Sequence, residues 1–127
     1  MSSARIPISV TVENLATLTG ELHRYAAPTT VMYLCKLMPL EGFIARWDYA
    51  IYIVTSLSLG AEKTAAKISA GDIFYWPPGK AVGIAFKDKD APAQTVRVGK
   101  IDKNFEILEK AGQGARLRLS LRPPSYP

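Results

Sequence analysis

The stretch Gly71-Asp-Ile-Phe-Tyr-Trp-Pro-Pro-Gly-Lys-Ala81 decides how this chain is read. Gly71-Asp72 is a turn, and Ile73 to Trp76 is a short aromatic strand. Pro77-Pro78-Gly79 must end that strand, because proline brings no N–H to a ladder. Ala81 to Phe86 follows as an uninterrupted apolar run, the pattern of a strand buried on both faces. Alternation along Ile73–Trp76 puts Phe74 and Trp76 on one face and Tyr75 on the other. One side can then fill an interior while the other presents an aromatic surface.

Working outward, Ile6, Ile8, Val10 and Val12 alternate with polar or small neighbours. After a turn at Glu13-Asn14, Ala16, Leu18 and Leu22 do the same, which predicts an antiparallel hairpin. Val31, Leu34, Cys35 and Met38 follow Pro28 at helical spacing, and Pro39 and Gly42 are expected to stop that helix. Phe43 to Leu57, rich in aromatic and β-branched residues, predicts one or two strands with a bend near Asp48. Gly60 to Ala70 reads as a loop or a lysine-protected edge strand, and Lys87 to Pro92 as a polar loop. Thr95 to Ile101 is a further strand. Asn104 is placed to cap a short helix through Lys110, ended by Gly112. Leu117, Leu119 and Leu121 alternate with Arg116, Arg118 and Ser120 in a last strand. The expectation is one mainly β domain over residues 1–121, a closed β-barrel of about eight strands with two short capping helices, and a C-terminal tail over 122–127. Many short strands without a βαβ rhythm favour closure, which removes exposed edges.

Bulk properties narrow the functional classes. The chain has 127 residues, 48% hydrophobic and 21% charged, with a formal net charge of +5. The basic residues are scattered. Arg116 and Arg118 share one strand face, which reads as a solvated face, with a polyanion-binding stripe as the rival. Cys35 is the only cysteine, so no intrachain disulfide forms; in the helical stripe it reads as a small buried hydrophobe. The N-terminus lacks the apolar core of a secretory signal, and no apolar run reaches the ~20 residues of a membrane span. The expected location is the cytoplasm. One histidine, His23, and one cysteine cannot build the usual Cys/His metal sets, and His23 is expected at the surface or in a loop. Neither a nucleophile elbow nor a phosphate loop is present, and Gly60-Ala-Glu-Lys-Thr64 lacks the required spacing. No metal and no cofactor is expected. Asp72 reads as a turn residue, and Asp88 and Asp90 as members of a solvated loop.

The Tyr75-Trp-Pro-Pro-Gly79 run and the apolar stretch after it resemble the signature of small prokaryotic cyclophilin-like proteins, a family typified by a Thermotoga protein of unknown function. The order of the rest agrees: a hairpin, a helix, Trp47 ahead of Ile51-Tyr52-Ile53, then Val98-Gly99-Lys100-Ile101 and a short helix. Asp48 and Ala50 stand where that family usually has glycine and glutamate, and Phe86-Lys87 replaces Phe-Gly. The resemblance implies a cyclophilin-like barrel. Val98-Gly99-Lys100-Ile101, with Phe105 and Leu108, is also similar to the corresponding segment of true cyclophilins. Those enzymes lower the ~18–20 kcal/mol barrier to X–Pro rotation with an apolar pocket and an arginine donor. That resemblance implies Arg46, after the first helix, as the donor.

Three functions follow. The first is a non-catalytic module binding a small ligand or an extended peptide in a surface cleft lined by Arg46, Trp47, Tyr52, Tyr75, Trp76 and Phe86. The second is a peptidyl-prolyl isomerase with Arg46 as catalytic donor, and the third a weak binder of polyanions or nucleic acid through Arg116 and Arg118. No membrane partner is expected, and the sequence defines no oligomeric state.

Overall fold

The computed structural model describes residues 4–122. Strands β1 (Arg5–Val12) and β2 (Ala16–His23) form the expected hairpin, with all eight residues of each paired from Arg5 opposite His23 to Val12 opposite Ala16. Helix α1 (Pro28–Leu37) turns Val31 and Leu34 inward. Proline suits its first position because the missing N–H has no intrahelical partner there. Then follow β3 (Leu40–Phe43), β4 (Ala45–Arg46), β5 (Ala50–Val54), β6 (Lys67–Ile68), β7 (Asp72–Trp76), β8 (Ala81–Ala85), β9 (Lys89–Asp90), β10 (Val96–Ile101) and β11 (Arg116–Leu121).

Nine strands form one antiparallel sheet in the order β3-β11-β1-β2-β10-β7-β8-β5-β4. Its two edges, β3 and β4, are separated in sequence only by Ile44. The chain itself therefore joins the edges, and the sheet curls into a nearly closed barrel. Ile44 is tied on both sides: its N–H donates to the Ala115 carbonyl at 2.8 Å, and its carbonyl accepts from Gly114 at 2.8 Å. Inward-facing Ile8, Val10, Leu22, Ile51, Ile53, Ile73, Tyr75, Val82, Ile84, Val98, Leu117 and Leu119 fill the interior with Val31 and Leu34 of α1. The class read from alternation holds: mainly β, barrel-like, with few helical elements.

Several local expectations differ from what is observed. Phe43–Leu57 holds the two expected strands, β4 and β5, with the bend at Asp48 and Tyr49, but another strand runs into it from before. The strand content begins at Leu40, in a segment expected only to stop the helix, and it divides into β3, β4 and β5. Leu40 and Gly42 lie opposite Leu119 and Leu117, so a two-residue alternation too short to notice is completed by its neighbour. Lys87–Pro92 is not wholly a loop, since β9 pairs with β6 in a separate two-stranded ribbon. The segment after Asn104 is a 3-10 helix (Phe105–Lys110). Asn104 itself is left-handed (φ 64°) and makes no side-chain cap; its carbonyl accepts from Ile107 instead. A second 3-10 turn, Pro77–Gly79, occupies the proline break. His23 is buried at the end of β2, stacked on Tyr25 at 5.0 Å and 2.6 Å from the Glu21 carboxylate. Of the expected tail, only Arg122 is described, with its N–H on the Pro7 carbonyl; residues 123–127 lie outside the described residues.

Candidate functional site

The outward faces of β5, β7 and β8 carry a second apolar cluster: Tyr49, Ala50, Ile68, Phe74 and Ala85, with Trp47 and Ala91 packed on it. Its centre is Phe74 lying over Gly83, its neighbour on β8. A β-carbon at residue 83 would come within 2.5 Å of the Phe74 ring, so only glycine leaves room. The β6–β9 ribbon, through Ile68, helps to cover this face, so that Tyr49, Ala50, Phe74 and Ala85 are buried and Trp47 and Ala91 stay partly accessible at its margin.

Trp47 sits where four other rings meet. It stacks on Tyr52 (4.1 Å between centroids, 24°) and lies nearly parallel to Tyr49 (5.8 Å) and Phe74 (5.9 Å). Trp76 meets it edge-on, at 5.6 Å and 89°. Such offset and edge-to-face arrangements are the preferred ones for aromatic quadrupoles. The Trp76 indole is held by its Nε1–H, which donates to the Ala93 carbonyl at 3.0 Å. A tight turn, closed by the Trp47 N–H on the Ala50 carbonyl at 2.8 Å, places Trp47 and Tyr49 on the same outer face.

Three of these rings, Trp47, Tyr49 and Trp76, border a recess of about 310 Å³ whose other lining residues are Asp48, Lys89 and Pro92. Its charged rim is one ion pair, Lys89 Nζ to Asp48 Oδ2 at 3.2 Å. The same ammonium lies 5.9 Å from the Tyr49 ring centre. Burial pushes the Tyr49 phenol up from its ordinary pKa, and the adjacent Asp48 charge adds to the effect. The Tyr49 Oη is buried and has no hydrogen-bond partner among the described residues.

The residues expected to line one cleft thus divide. Trp47, Tyr52 and Trp76 come together on the outer face. Tyr75 points the other way, fully buried in the barrel; its Oη donates to the Leu57 carbonyl at 2.7 Å and accepts from the Leu59 N–H at 3.2 Å. Phe86 belongs to the interior cluster. Arg46 stacks over the Phe86 ring at 5.3 Å and donates from Nη1 to the Ala111 carbonyl at 2.6 Å, so its guanidinium is engaged with the chain itself. Neither these three nor Tyr52 lines the recess, so of the six expected residues only Trp47 and Trp76 do. Tyr49, Asp48, Lys89 and Pro92 do as well, and sequence reading did not select them. Tyr49 was concealed by the turn, which sets residues 49 and 50 on the same face and breaks simple alternation. Lys89 and Pro92 arrive from a segment about forty residues further along the chain.

Elsewhere, Asp72 follows Gly71, whose φ of 93° suits glycine. Its carboxylate accepts from the Ser69 N–H and pairs with Arg97 at 3.0 Å, which fits its reading as a turn residue. Arg116 and Arg118 are exposed on one face of β11; Arg118 pairs with Glu41 at 3.6 Å, and Arg116 lies over the Phe43 ring. Cys35 is half-buried against the core, and burial pushes its thiol up despite the nearby charge of Arg24. Among the described residues no group of three or more metal-ligating side chains gathers, and no helix is long and apolar enough to cross a membrane.

A nearly closed antiparallel barrel with a helix packed on its core and short 3-10 elements is a cyclophilin-like architecture. The chain belongs to the cyclophilin-like family, whose sequence profile matches residues 5–120. It is similar to the solution structure of the hypothetical protein AF2241 from Archaeoglobus fulgidus, with a TM-score of 0.72 and 25% identity, over 94% of this chain and 96% of that one. Comparison with curated proteins gave no match.

Proposed function

We propose that this cyclophilin-like domain is a non-catalytic binding module, and that its ligand is a small molecule seated in the recess between Trp47, Tyr49 and Trp76. The observation that carries this reading is an apolar hollow of about 310 Å³ walled by fixed aromatic rings. That size is at the lower end of small-molecule sites, which run from ~300 to ~1,000 Å³. Rings already locked by stacking and by the Trp76–Ala93 hydrogen bond lose little freedom on binding, which favours affinity. An extended peptide could present one side chain to the same hollow, but the adjoining face is covered by the β6–β9 ribbon.

The chain has two tryptophans, and both line the recess, so emission excited selectively at tryptophan reports from this site. Titration with a set of small apolar and cationic fragments is expected to give a saturable change in emission for at least one of them. Trp76→Ala should abolish the binding while Trp47 still reports. A set that leaves emission unchanged, or a response that survives in Trp76→Ala, counts against the site.

Isomerase activity finds less support, because the Arg46 guanidinium is bonded to Ala111 and stacked on Phe86. A protease-coupled assay on an X–Pro peptide should give the buffer rate. An acceleration lost in Arg46→Ala would restore the enzymatic reading.

A further inference from the structure

Resting on the binding-module reading, the geometry points to the ligand's class: we propose that the recess takes a small quaternary ammonium compound, with Trp47 and Trp76 facing the cation, Tyr49 behind them and Asp48 balancing its charge. Three features of the hollow converge on this chemistry.

The first is the set of rings. Trp47 and Trp76 stand at 89° to each other, and Tyr49 continues the plane direction of Trp47 within 15°. Two mutually perpendicular indoles border the hollow, with one face of Trp47 covered by Tyr52 at 4.1 Å and the buried Tyr49, 4% exposed, lying behind them. A cation without a preferred hydrogen-bond axis is stabilised by such a corner, and indole is the strongest of the aromatic partners.

The second is the shortage of acceptors for a primary amine: beside the Asp48 carboxylate, the lining side chains offer only the Tyr49 hydroxyl. A primary ammonium carries three N–H donors that each need an acceptor when desolvated. Of the six lining residues, Asp48 alone brings a carboxylate, and the others offer rings, a proline and a lysine. A quaternary ammonium has no N–H to satisfy. Its methyl surface packs on rings while its charge is felt by Asp48.

The third is the cation already at the rim. The Lys89 ammonium lies 3.2 Å from Asp48 Oδ2 and 5.9 Å from the Tyr49 ring centre, so the protein places its own positive charge against the same carboxylate and ring. Both partners of that ion pair are largely exposed, with side chains 44% and 73% accessible. Exposed pairs of this kind are weak and readily exchanged. Lys89 thus acts as a displaceable internal occupant, and its departure frees Asp48 for a ligand.

The test uses choline and its neutral carbon isostere 3,3-dimethylbutan-1-ol, titrated against tryptophan emission at matched ionic strength. Choline is expected to bind saturably, and about tenfold or more tightly than the isostere, since the two differ in charge and hardly in shape. Lys89→Gln should tighten choline binding a few-fold by removing the competing cation, and Asp48→Asn should weaken it a few-fold. Both substitutions fall on exposed side chains and should leave the fold intact, which circular dichroism checks. Equal affinity for choline and isostere overturns the cation assignment and leaves the binding module standing. Absence of a saturable change with either compound also overturns the assignment; the fragment titration then decides the binding module separately. Weaker choline binding in Lys89→Gln contradicts the role given to that lysine.

Discussion

Phe74 and Tyr75 are neighbours whose side chains belong to different compartments, and each makes a prediction. Phe74 lies on the outer face above Gly83, where a β-carbon would meet its ring at 2.5 Å. Gly83→Ala should cost about 1–3 kcal/mol by overpacking, read as a lower denaturation midpoint in urea, and it should also disturb the tryptophan emission, because Phe74 supports Trp47. An unchanged midpoint would mean that the ring does not rest where it is described. Tyr75→Phe removes a hydroxyl that satisfies the Leu57 carbonyl and the Leu59 N–H. It should cost about 1–2 kcal/mol while leaving ligand binding at the recess intact. At this scale alternation was informative: it separated Phe74 and Trp76 from Tyr75. It could not show which face would hold water, because that depends on the ribbon laid over the outside.

Helix α1 shows how an element is stabilised from a distance. Its N-cap position is Ala27, which offers no side-chain acceptor. The Glu62 carboxylate does the capping instead: Oε2 accepts from the Thr29 N–H at 3.0 Å, and Oε1 from the Thr30 N–H at 2.9 Å and the Thr30 hydroxyl at 3.1 Å. A negative group at a helix N-terminus also complements the helix dipole. Desolvation pushes the Glu62 carboxyl up, but the bonds from Thr29 and Thr30 together outweigh it, and the net shift is downward from 4.5. A carboxyl lowered in the folded state stabilises fully above its unfolded pKa, and that contribution is lost as pH falls through the folded value. Stability should therefore decline below about pH 4.5, and Glu62→Gln should flatten that part of the profile; a mutant with the parent slope would contradict the capping role. The Lys-rich segment holding Glu62 reads as a loop or an edge strand in sequence, and a partner 32 residues from Thr30 leaves no local signature. The same holds for β6 and β9, whose two-residue strands are too short to carry a period. Long or doubly buried elements were legible for the opposite reason: β1, β2, β8 and β11 each repeat the core-facing pattern several times.

For the molecule as a whole, closure follows from one residue. Ile44 joins the two edges of the sheet, and β3 and β5 approach closely at Gly42, where a β-carbon would come within 3.0 Å of the Ile53 side chain. Arg46 reinforces this seam by bonding to the Ala111 carbonyl at the end of the 3-10 helix. Arg46→Leu should lower stability by about 1.5–3 kcal/mol, the range for a hydrogen bond involving a charged group, without changing ligand affinity; a loss of affinity at full stability would instead place Arg46 in the site. Barrel class was readable from the succession of short alternating strands, but the pairing of distant ends was not, and the recess depends on that pairing. Trp47 precedes β5, Trp76 ends β7, Lys89 comes from β9 of the ribbon and Pro92 from the chain just after it. The direct measurement is a two-dimensional nitrogen–proton NMR spectrum of the labelled protein, in which the two indole N–H signals report Trp47 and Trp76 individually. Added choline should move both signals together along one saturation curve, with the largest backbone changes at residues 47–49, 76 and 89. Stationary indole signals, with the perturbation centred on Arg46 and Phe86 instead, would contradict an outer-face aromatic recess as the binding site.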